Sequence, residues 1–174
     1  MKRIAVIGCA GAGKSAFARR LAERLDMPVT HLDTLFWRPG WTETPKDEWQ
    51  ATVSRLVAGE SWLIDGNYGG TLETRLEAAD TVIYLDMPRR VCLWRVVRRW
   101  ATHWRKARPD MTEGCPERLN LQFLKWVWRY PRVSRPKTVA ALASTMRRGT
   151  RVYALRSPAE VEEFLAIAAP GIRF

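Results

Sequence analysis

The fold is decided by the stretch Gly8-Cys9-Ala10-Gly11-Ala12-Gly13-Lys14-Ser15. This stretch follows the apolar run Ile4-Ala5-Val6-Ile7 and precedes a segment with a helical pattern, Ala16 to Leu25. A strand, a glycine-rich loop and a helix in this order are the context of a phosphate-binding P-loop. Glycines let successive backbone N–H groups turn towards a phosphate, and the helix N-terminus adds a partial positive charge. The sequence therefore predicts a binding site for a nucleoside triphosphate.

The side chains of this loop predict how the triphosphate is held. We expect Lys14 to reach the β- and γ-phosphates and the Ser15 hydroxyl to bind Mg²⁺. The residues predicted to contact the nucleotide from the loop are Gly8, Gly11, Ala12, Gly13, Lys14, Ser15 and Ala16.

Short apolar segments alternate with helical patterns along the chain. The candidate strands are Arg3–Ile7, Val29–Leu32, Trp62–Ile64, Thr81–Leu85 and Arg151–Leu155. Most of them are β-branched and apolar, which is typical of strands buried on both faces. Repeated strand–helix–strand units predict a parallel α/β sheet whose ligands lie beyond the carboxyl ends of the strands. With 174 residues, we expect residues 1–174 to form a single domain.

Three aspartates follow predicted strands: Asp33, Asp65 and Asp86. A phosphoryl-transfer site needs a carboxylate that orients or deprotonates the acceptor hydroxyl, and often another that holds Mg²⁺-bound water. Asp33 is the better candidate for the acceptor because the aromatic stretch 35–41, which includes Trp37, follows it. Asp86 is equally compatible with capping the next helix.

Asp65 begins a loop rich in hydrogen-bonding groups and glycines, Asp65-Gly66-Asn67-Tyr68-Gly69-Gly70. We expect Asp65, Asn67 and Tyr68 to contact the acceptor, with Asp65 also a candidate metal ligand. Whether Asp33 or Asp65 acts on the acceptor hydroxyl stays open at this point. His31 precedes Asp33 and is interpreted as a hydrogen-bonded structural residue.

The net charge of +11 is unevenly distributed. Residues 1–86 carry 10 Lys and Arg against 12 Asp and Glu, whereas residues 87–174 carry 19 against 6. Most of the excess lies between Arg89 and Lys137, and most of it is arginine, whose guanidinium suits phosphate oxygens. Such a region predicts either a lid over nucleotide phosphates or a nucleic-acid surface.

Two helical patterns carry this charge, and a connection over residues 107–114 is expected to be mobile. In the first, an apolar stripe (Leu93, Val96, Val97, Trp100 and Trp104) is predicted to pack, with Arg95, Arg98 and Arg99 on the opposite side. Pro131 is expected to end the second helix. The pattern predicts an arginine-rich lid over about residues 100–120.

The cysteines, the opening stretch and the apolar runs of the sequence predict the cellular compartment of the protein. Cys9, Cys92 and Cys115 form no C-x-x-C pair, the opening stretch does not resemble a signal peptide, and no apolar run is long enough for a membrane span. We expect a cytoplasmic protein that does not associate with membranes.

The P-loop together with several other segments resembles the adenylate-kinase-like branch of P-loop kinases. Tyr84-Leu85-Asp86-Met87-Pro88 is similar to the fourth-strand segment of those kinases, and Arg156-Ser157-Pro158 to their adenine-contacting loop. Within that branch, four segments resemble the group named topology modulation proteins. They are His31-Leu32-Asp33, Phe36-Trp37-Arg38-Pro39-Gly40-Trp41, Asp65-Gly66-Asn67-Tyr68 and Arg108-Pro109-Asp110.

The resemblance implies a five-stranded parallel sheet in the order 2-3-1-4-5, with ATP at the P-loop and arginines of the lid on the phosphates. It implies nucleotide contacts from Arg95, Arg156, Ser157 and Pro158, and an acceptor contact from Asp33. The arginine that adenylate kinases carry after the third strand is missing, so Arg75 is the candidate to replace it. Zinc-binding cysteines of the lid are absent as well.

These observations predict an ATP- and Mg²⁺-dependent kinase that acts on a small metabolite or nucleotide. Lys14 and Ser15 hold the phosphates and the metal, Asp33 positions the acceptor, and Arg98 and Arg99 neutralise charge in the transition state. The alternatives are a nucleic-acid-binding regulator that uses ATP as a switch, and an NTPase whose acceptor is water. The acceptor and the oligomeric state are not predicted.

Overall fold

The computed structural model describes residues 1–103, 111–118 and 120–168. The strands are β1 (Arg3–Gly8), β2 (Val29–His31), β3 (Trp37–Arg38), β4 (Thr42–Glu43), β5 (Trp62–Asp65), β6 (Thr81–Leu85) and β7 (Arg151–Leu155). The helices are α1 (Lys14–Leu25), α2 (Leu32–Phe36), α3 (Lys46–Val57), α4 (Leu72–Ala78), α5 (Arg89–Thr102), α6 (Leu121–Val133), α7 (Arg135–Arg147) and α8 (Pro158–Ile167), with a short 3-10 turn at Gly69–Thr71.

Five strands form one parallel sheet in the order β2-β5-β1-β6-β7. Counted along the five strands of this sheet, the order is 2-3-1-4-5, which confirms the predicted α/β fold. The register sets Val6 of the central strand opposite Asp65 on one side and Ile83 on the other. The carboxyl ends of β1, β2 and β5 therefore meet at one edge of the sheet.

Helices cover both faces of the sheet. Ile4 and Val6 of β1 point into a core shared with α1, α5, α6 and α8, whereas Ala5 and Ile7 point into a core shared with α3, α4 and α7. All four of these side chains are fully buried. The central strand is apolar from Ile4 to Ile7 because both of its faces are covered there.

The second basic helix is longer than the sequence predicts. Pro131 was expected to end a helix, and this is wrong, since α6 continues to Val133. Proline in a helix costs about 3 kcal/mol, but Val127 and Tyr130 on the preceding turn are buried in the core and hold the helix in place. Residues 104–110, which include the first half (107–110) of the connection expected to be mobile, lie outside the described residues.

Among the described residues, no helix combines the length and the apolar character that crossing a membrane requires.

Candidate active site

A cavity of about 760 Å³ lies at the carboxyl ends of the central strands. Most of the site residues predicted from the sequence line it together: Gly11, Gly13, Lys14, Ser15, Ala16, Asp33, Trp37, Asp65, Asn67, Tyr68, Arg95 and Arg99. The remaining predicted site residues do not line it: Gly8, Ala12, Arg75, Arg98, Arg156, Ser157 and Pro158. The P-loop forms one end of the cavity, and the segments after β2 and β5 form the other.

The P-loop has a backbone that requires glycine. Gly8, Gly11 and Gly13 have φ values of 148°, 78° and 98°. A Cβ atom on Gly8 would lie 2.6 Å from the carbonyl oxygen of Leu85, and one on Gly11 would lie 2.2 Å from that of Cys92. Gly8 and Gly11 are thus required both by their backbone conformation and by the close approach of β6 and α5, and Gly13 by its backbone conformation.

The loop leads directly into the N-terminus of α1. Gly13 occupies the N-cap position, and no side chain caps the first turn. The N–H groups of this turn are therefore oriented towards the loop, where an anion would satisfy them. Lys14 Nζ donates to the carbonyl oxygen of Cys9 at 3.2 Å, and Arg95 Nη1 donates to that of Ala12 at 2.9 Å. Two cations thus lie against the loop.

Two carboxylates that line the cavity each have a hydrogen-bonded partner: Asp33, at the end opposite the P-loop, and Asp65, at the end of β5, which lies between β1 and β2. The Tyr68 hydroxyl donates to Asp33 Oδ1 at 2.6 Å. His31 Nδ1 lies 3.0 Å from Oδ2 of Asp65, whose side chain is almost fully buried. Burial, and then the charge of Asp33, raise the pKa of Tyr68 well above its usual value. Tyr68 therefore stays protonated and orients the Asp33 carboxylate at physiological pH.

Aromatic side chains enclose this acceptor end. Phe36 packs against Tyr68 with ring centroids 4.7 Å apart, and Trp37 packs against Trp41 at 5.2 Å. Trp37, Trp41 and Tyr68 line the cavity, with Phe123 and Trp126 from α6. Indole and phenyl faces of this kind bind the apolar faces of rings.

Arg75 was predicted to contact the acceptor, but the structure places it elsewhere. Its side chain is completely buried and donates to the backbone carbonyl groups of Gly66, Asn67, Tyr68 and Thr71. Burial lowers the pKa of Arg75 to about 10, and the charge of Asp65 opposes this shift. Arg75 thus stays charged and holds the loop that carries Asn67 and Tyr68.

The segment 111–118 closes one side of the cavity by docking on the hairpin of β3 and β4. Gly40 N donates to the carbonyl oxygen of Gly114 at 3.0 Å, and Trp41 Nε1 donates to that of Pro116 at 3.1 Å. Arg99 Nε donates to the buried carboxylate of Glu117 at 3.0 Å. Arg99 therefore links α5 to this segment as well as lining the cavity.

The rotation of α5 differs from the sequence prediction. Arg95 and Arg99 face the cavity, whereas Arg98 is exposed with its guanidinium 5.2 Å from the ring centroid of Trp94. The close packing of α5 on the P-loop sets this rotation, because the backbone of Cys92 lies against Gly11. The prediction that Arg95, Arg98 and Arg99 share one side is therefore wrong.

The other sequence candidates near the strand ends have local partners. The Asp86 carboxylate accepts hydrogen bonds from Arg135 at 2.7 and 2.8 Å. Ser157 caps α8 by accepting from Glu160 N at 3.2 Å, and the Glu160 carboxylate accepts from Arg156 N. These contacts give Asp86 and Ser157 structural roles.

Sequence reasoning missed several residues that line the cavity. Arg19 lies four residues after Ser15 on α1, so helical periodicity could have identified it. His31 does not line the cavity, and its 3.0 Å contact with Asp65 agrees with its interpretation as a hydrogen-bonded structural residue. Arg118 lies over Trp41, 5.1 Å from the ring centroid. No local pattern places Arg118 in the cavity, because its position there depends on the docking of segment 111–118.

The residues of the phosphate end fit ATP and Mg²⁺. There is no room for a Cβ atom on Gly8 or Gly11. The loop is adjacent to the uncapped N-terminus of α1 and to the cations of Lys14 and Arg95. Ser15 and Asp65 add hydroxyl and carboxylate oxygens to the same cavity, and these are the ligands that Mg²⁺ prefers.

Comparison with known proteins gives matches in structure alone. No family model matches the chain, and neither does a curated protein. The fold is similar to a gluconokinase from Sinorhizobium meliloti (TM-score 0.54, 18% identity, 97% of this chain and 93% of that chain). It is also similar to a sugar kinase from a Janibacter species (TM-score 0.53, 17% identity, 95% of this chain and 93% of that chain). A third similar structure is a shikimate kinase from Acinetobacter baumannii solved with shikimate (TM-score 0.53, 17% identity, 95% of this chain and 89% of that chain). The chain thus has the fold of P-loop kinases.

Proposed function

We propose that this protein is an ATP- and Mg²⁺-dependent phosphotransferase that moves the γ-phosphoryl group to a hydroxyl group of a small molecule. The observation that carries the proposal is one cavity that joins a P-loop to the Asp33–Tyr68 pair. Phosphoryl transfer needs little covalent participation by the protein and depends on positioning and charge. In this cavity the Asp33–Tyr68 pair supplies positioning, and Lys14 and Arg95 supply charge.

At the phosphate end, Lys14 and Arg95 supply positive charge beside the loop that would hold the β- and γ-phosphates. Bound Mg²⁺ would neutralise phosphate charge there, held by Ser15, Asp65 and the phosphates themselves. Arg99 lines the same cavity, with its charge paired to the buried carboxylate of Glu117. Arg98 has no part in this proposal because it faces away.

At the acceptor end, Asp33 orients the acceptor hydroxyl and accepts its proton as the new P–O bond forms, while the bond from the γ-phosphorus to the bridging oxygen breaks and ADP leaves. Tyr68 fixes the rotamer of Asp33 by its hydrogen bond, and Arg75 holds Tyr68 by its backbone. The aromatic walls fit a ring-shaped acceptor. The names of the similar structures, a gluconokinase, a sugar kinase and a shikimate kinase, agree with a small hydroxylated molecule.

The test is a transfer assay with γ-³²P-labelled ATP, Mg²⁺ and a panel of sugars, sugar acids and nucleosides. The proposal expects label in at least one acceptor, with none after Mg²⁺ is removed by chelation. If calorimetry detects no ATP binding, or if ATP is consumed and all label appears as inorganic phosphate over the whole panel, the proposal fails. The second result would favour the alternative in which water is the acceptor.

A further inference from the structure

Most of the positive charge of helices α5 and α6 does not reach the cavity. Of the residues on α5, Arg95 and Arg99 line it, while Arg90 and Arg98 are exposed. All three basic residues of α6 are exposed and outside the cavity lining: Lys125, Arg129 and Arg132. The proposed phosphotransferase therefore leaves this charge without a function.

These outward residues form stripes with two tryptophans. Arg90, Trp94 and Arg98 follow one another at a spacing of four on α5, and Lys125, Trp128, Arg129 and Arg132 share one side of α6. Trp94 is 60% exposed and Trp128 is 45% exposed. The Arg89 guanidinium of α5 lies 4.0 Å from the ring centroid of Trp128, so α5 contacts the stripe of α6 at this tryptophan. We name these seven residues and Arg89 the outer face.

No acidic side chain balances the outer face within its helices. α5, α6 and α7 contain no Asp or Glu, and none of the outer-face cations has a salt bridge to a described acidic residue. Like charges at this density repel one another, and an anionic ligand relieves that repulsion. The charge of the surface thus favours a polyanion.

The exposed indole rings of Trp94 and Trp128 indicate which kind of polyanion the outer face binds. An exposed tryptophan among arginines is the combination that binds single-stranded nucleic acid, in which cations contact phosphates and bases stack on indoles. A duplex offers no unstacked base to such a ring. A membrane-binding helix needs a continuous apolar face, whereas Trp94 lies between Arg90 and Arg98. We propose that the outer face of α5 and α6 binds single-stranded nucleic acid.

The test measures fluorescence anisotropy of labelled 12-nucleotide RNA and DNA strands, and of the matching duplex, with the full chain over a salt series. We expect single strands to bind more tightly than the duplex, and the RNA and DNA arms show which sugar is preferred. Contacts to three or more phosphates predict that log K falls with log salt at a slope of about −2 or steeper.

Variants then separate stacking from charge alone. Trp94→Ala and Trp128→Ala should each weaken single-strand binding about tenfold, and Trp94→Phe should retain most of it. Arg129→Glu should weaken binding and reduce the salt slope by about 0.7 or more. Arg147→Glu is the matched control, since it changes the net charge equally but lies on α7, which packs on the opposite face of the sheet. Circular dichroism checks that each variant folds.

Three outcomes would overturn the proposal. One is an equal loss of binding in Arg147→Glu and Arg129→Glu, and another is unchanged binding in folded Trp94→Ala and Trp128→Ala. The third is binding to phosphatidylserine vesicles without binding to either single strand, which would make the outer face a membrane surface. Because these variants lie outside the cavity, loss of strand binding with normal ATP affinity is distinguishable from failure of the proposed phosphotransferase.

Discussion

The two ends of the cavity are built from different parts of the chain. The phosphate end is mainly backbone, namely the glycines of one loop and the first turn of α1 that follows it. The acceptor end is made of side chains from separate segments, such as Asp33 after β2, Tyr68 after β5 and Arg118 before α6. A backbone site is recognisable in a short stretch of sequence, whereas a side-chain site exists only once distant segments have packed.

The largest effect should come from adding a methyl group to the backbone-built end. In Gly11→Ala, the new Cβ would lie 2.2 Å from the carbonyl oxygen of Cys92, and the φ of 78° would be strained as well. We expect one of two results: calorimetry shows an ATP affinity reduced by more than about a hundredfold, or urea unfolding shows a free energy of unfolding reduced by about 3 kcal/mol.

Gly70→Ala is the matched control on the acceptor-side loop. A Cβ atom there meets nothing within 4 Å, and the φ of Gly70 is not positive. It should bind ATP normally and unfold at nearly the same urea concentration. Equal behaviour of the two variants would show that the P-loop does not require glycine at position 11.

This contrast explains what could be predicted from the sequence. The strands and the P-loop were predictable because buried strands and glycine loops leave local patterns, whereas the order of the strands was implied by the resemblance to the adenylate-kinase-like branch. The rotation of α5 was not, since it is set by packing of the Cys92 backbone against Gly11. The role of Arg75 was not either, because its partners are backbone carbonyl groups that no residue type indicates. The resemblance to topology modulation proteins stays a prediction.

The next largest effect is expected for Lys14, the main cation of the phosphate end. Lys14→Ala removes a charge that we expect to stabilise the transition state more than the ground state. Its kcat for transfer should fall by about a hundredfold or more while the protein stays folded. The measurement is single-turnover transfer at saturating ATP. Normal turnover in a folded Lys14→Ala protein would remove Lys14 from the mechanism.

Asp33→Asn tests the side-chain-built end with almost no change of shape. Asp33 accepts from Tyr68, away from the loop that carries Lys14. The variant should bind ATP and Mg²⁺ with nearly the affinity of the wild type, by calorimetry, because the loop is unchanged. Transfer to an acceptor found by the panel should fall by about a hundredfold, since the proton acceptor is lost.

The opposite pattern would change the assignment. If Asp33→Asn lost Mg²⁺-dependent ATP affinity and kept transfer, Asp33 would belong to the metal site and Asp65 would act on the acceptor. Asp65 is the available alternative because it lines the same cavity and contacts His31.

The smallest effect should come from the third strand-end carboxylate, which is in neither end of the cavity. Burial alone would raise the pKa of Asp86, but the hydrogen bonds and charge of Arg135 outweigh it and hold the pKa below its usual 3.8. A lowered folded-state pKa stabilises the protein above the unfolded pKa, and that contribution is lost as the pH falls through the folded value.

Asp86→Asn should therefore cost about 1 kcal/mol at pH 7, because the Arg135 side chain is 42% exposed and solvent screens the pair. Urea unfolding of both proteins should show this difference shrinking below pH 3.8, with transfer activity at pH 7 unchanged. A hundredfold loss of transfer in Asp86→Asn would instead place this carboxylate in the mechanism beside Asp33.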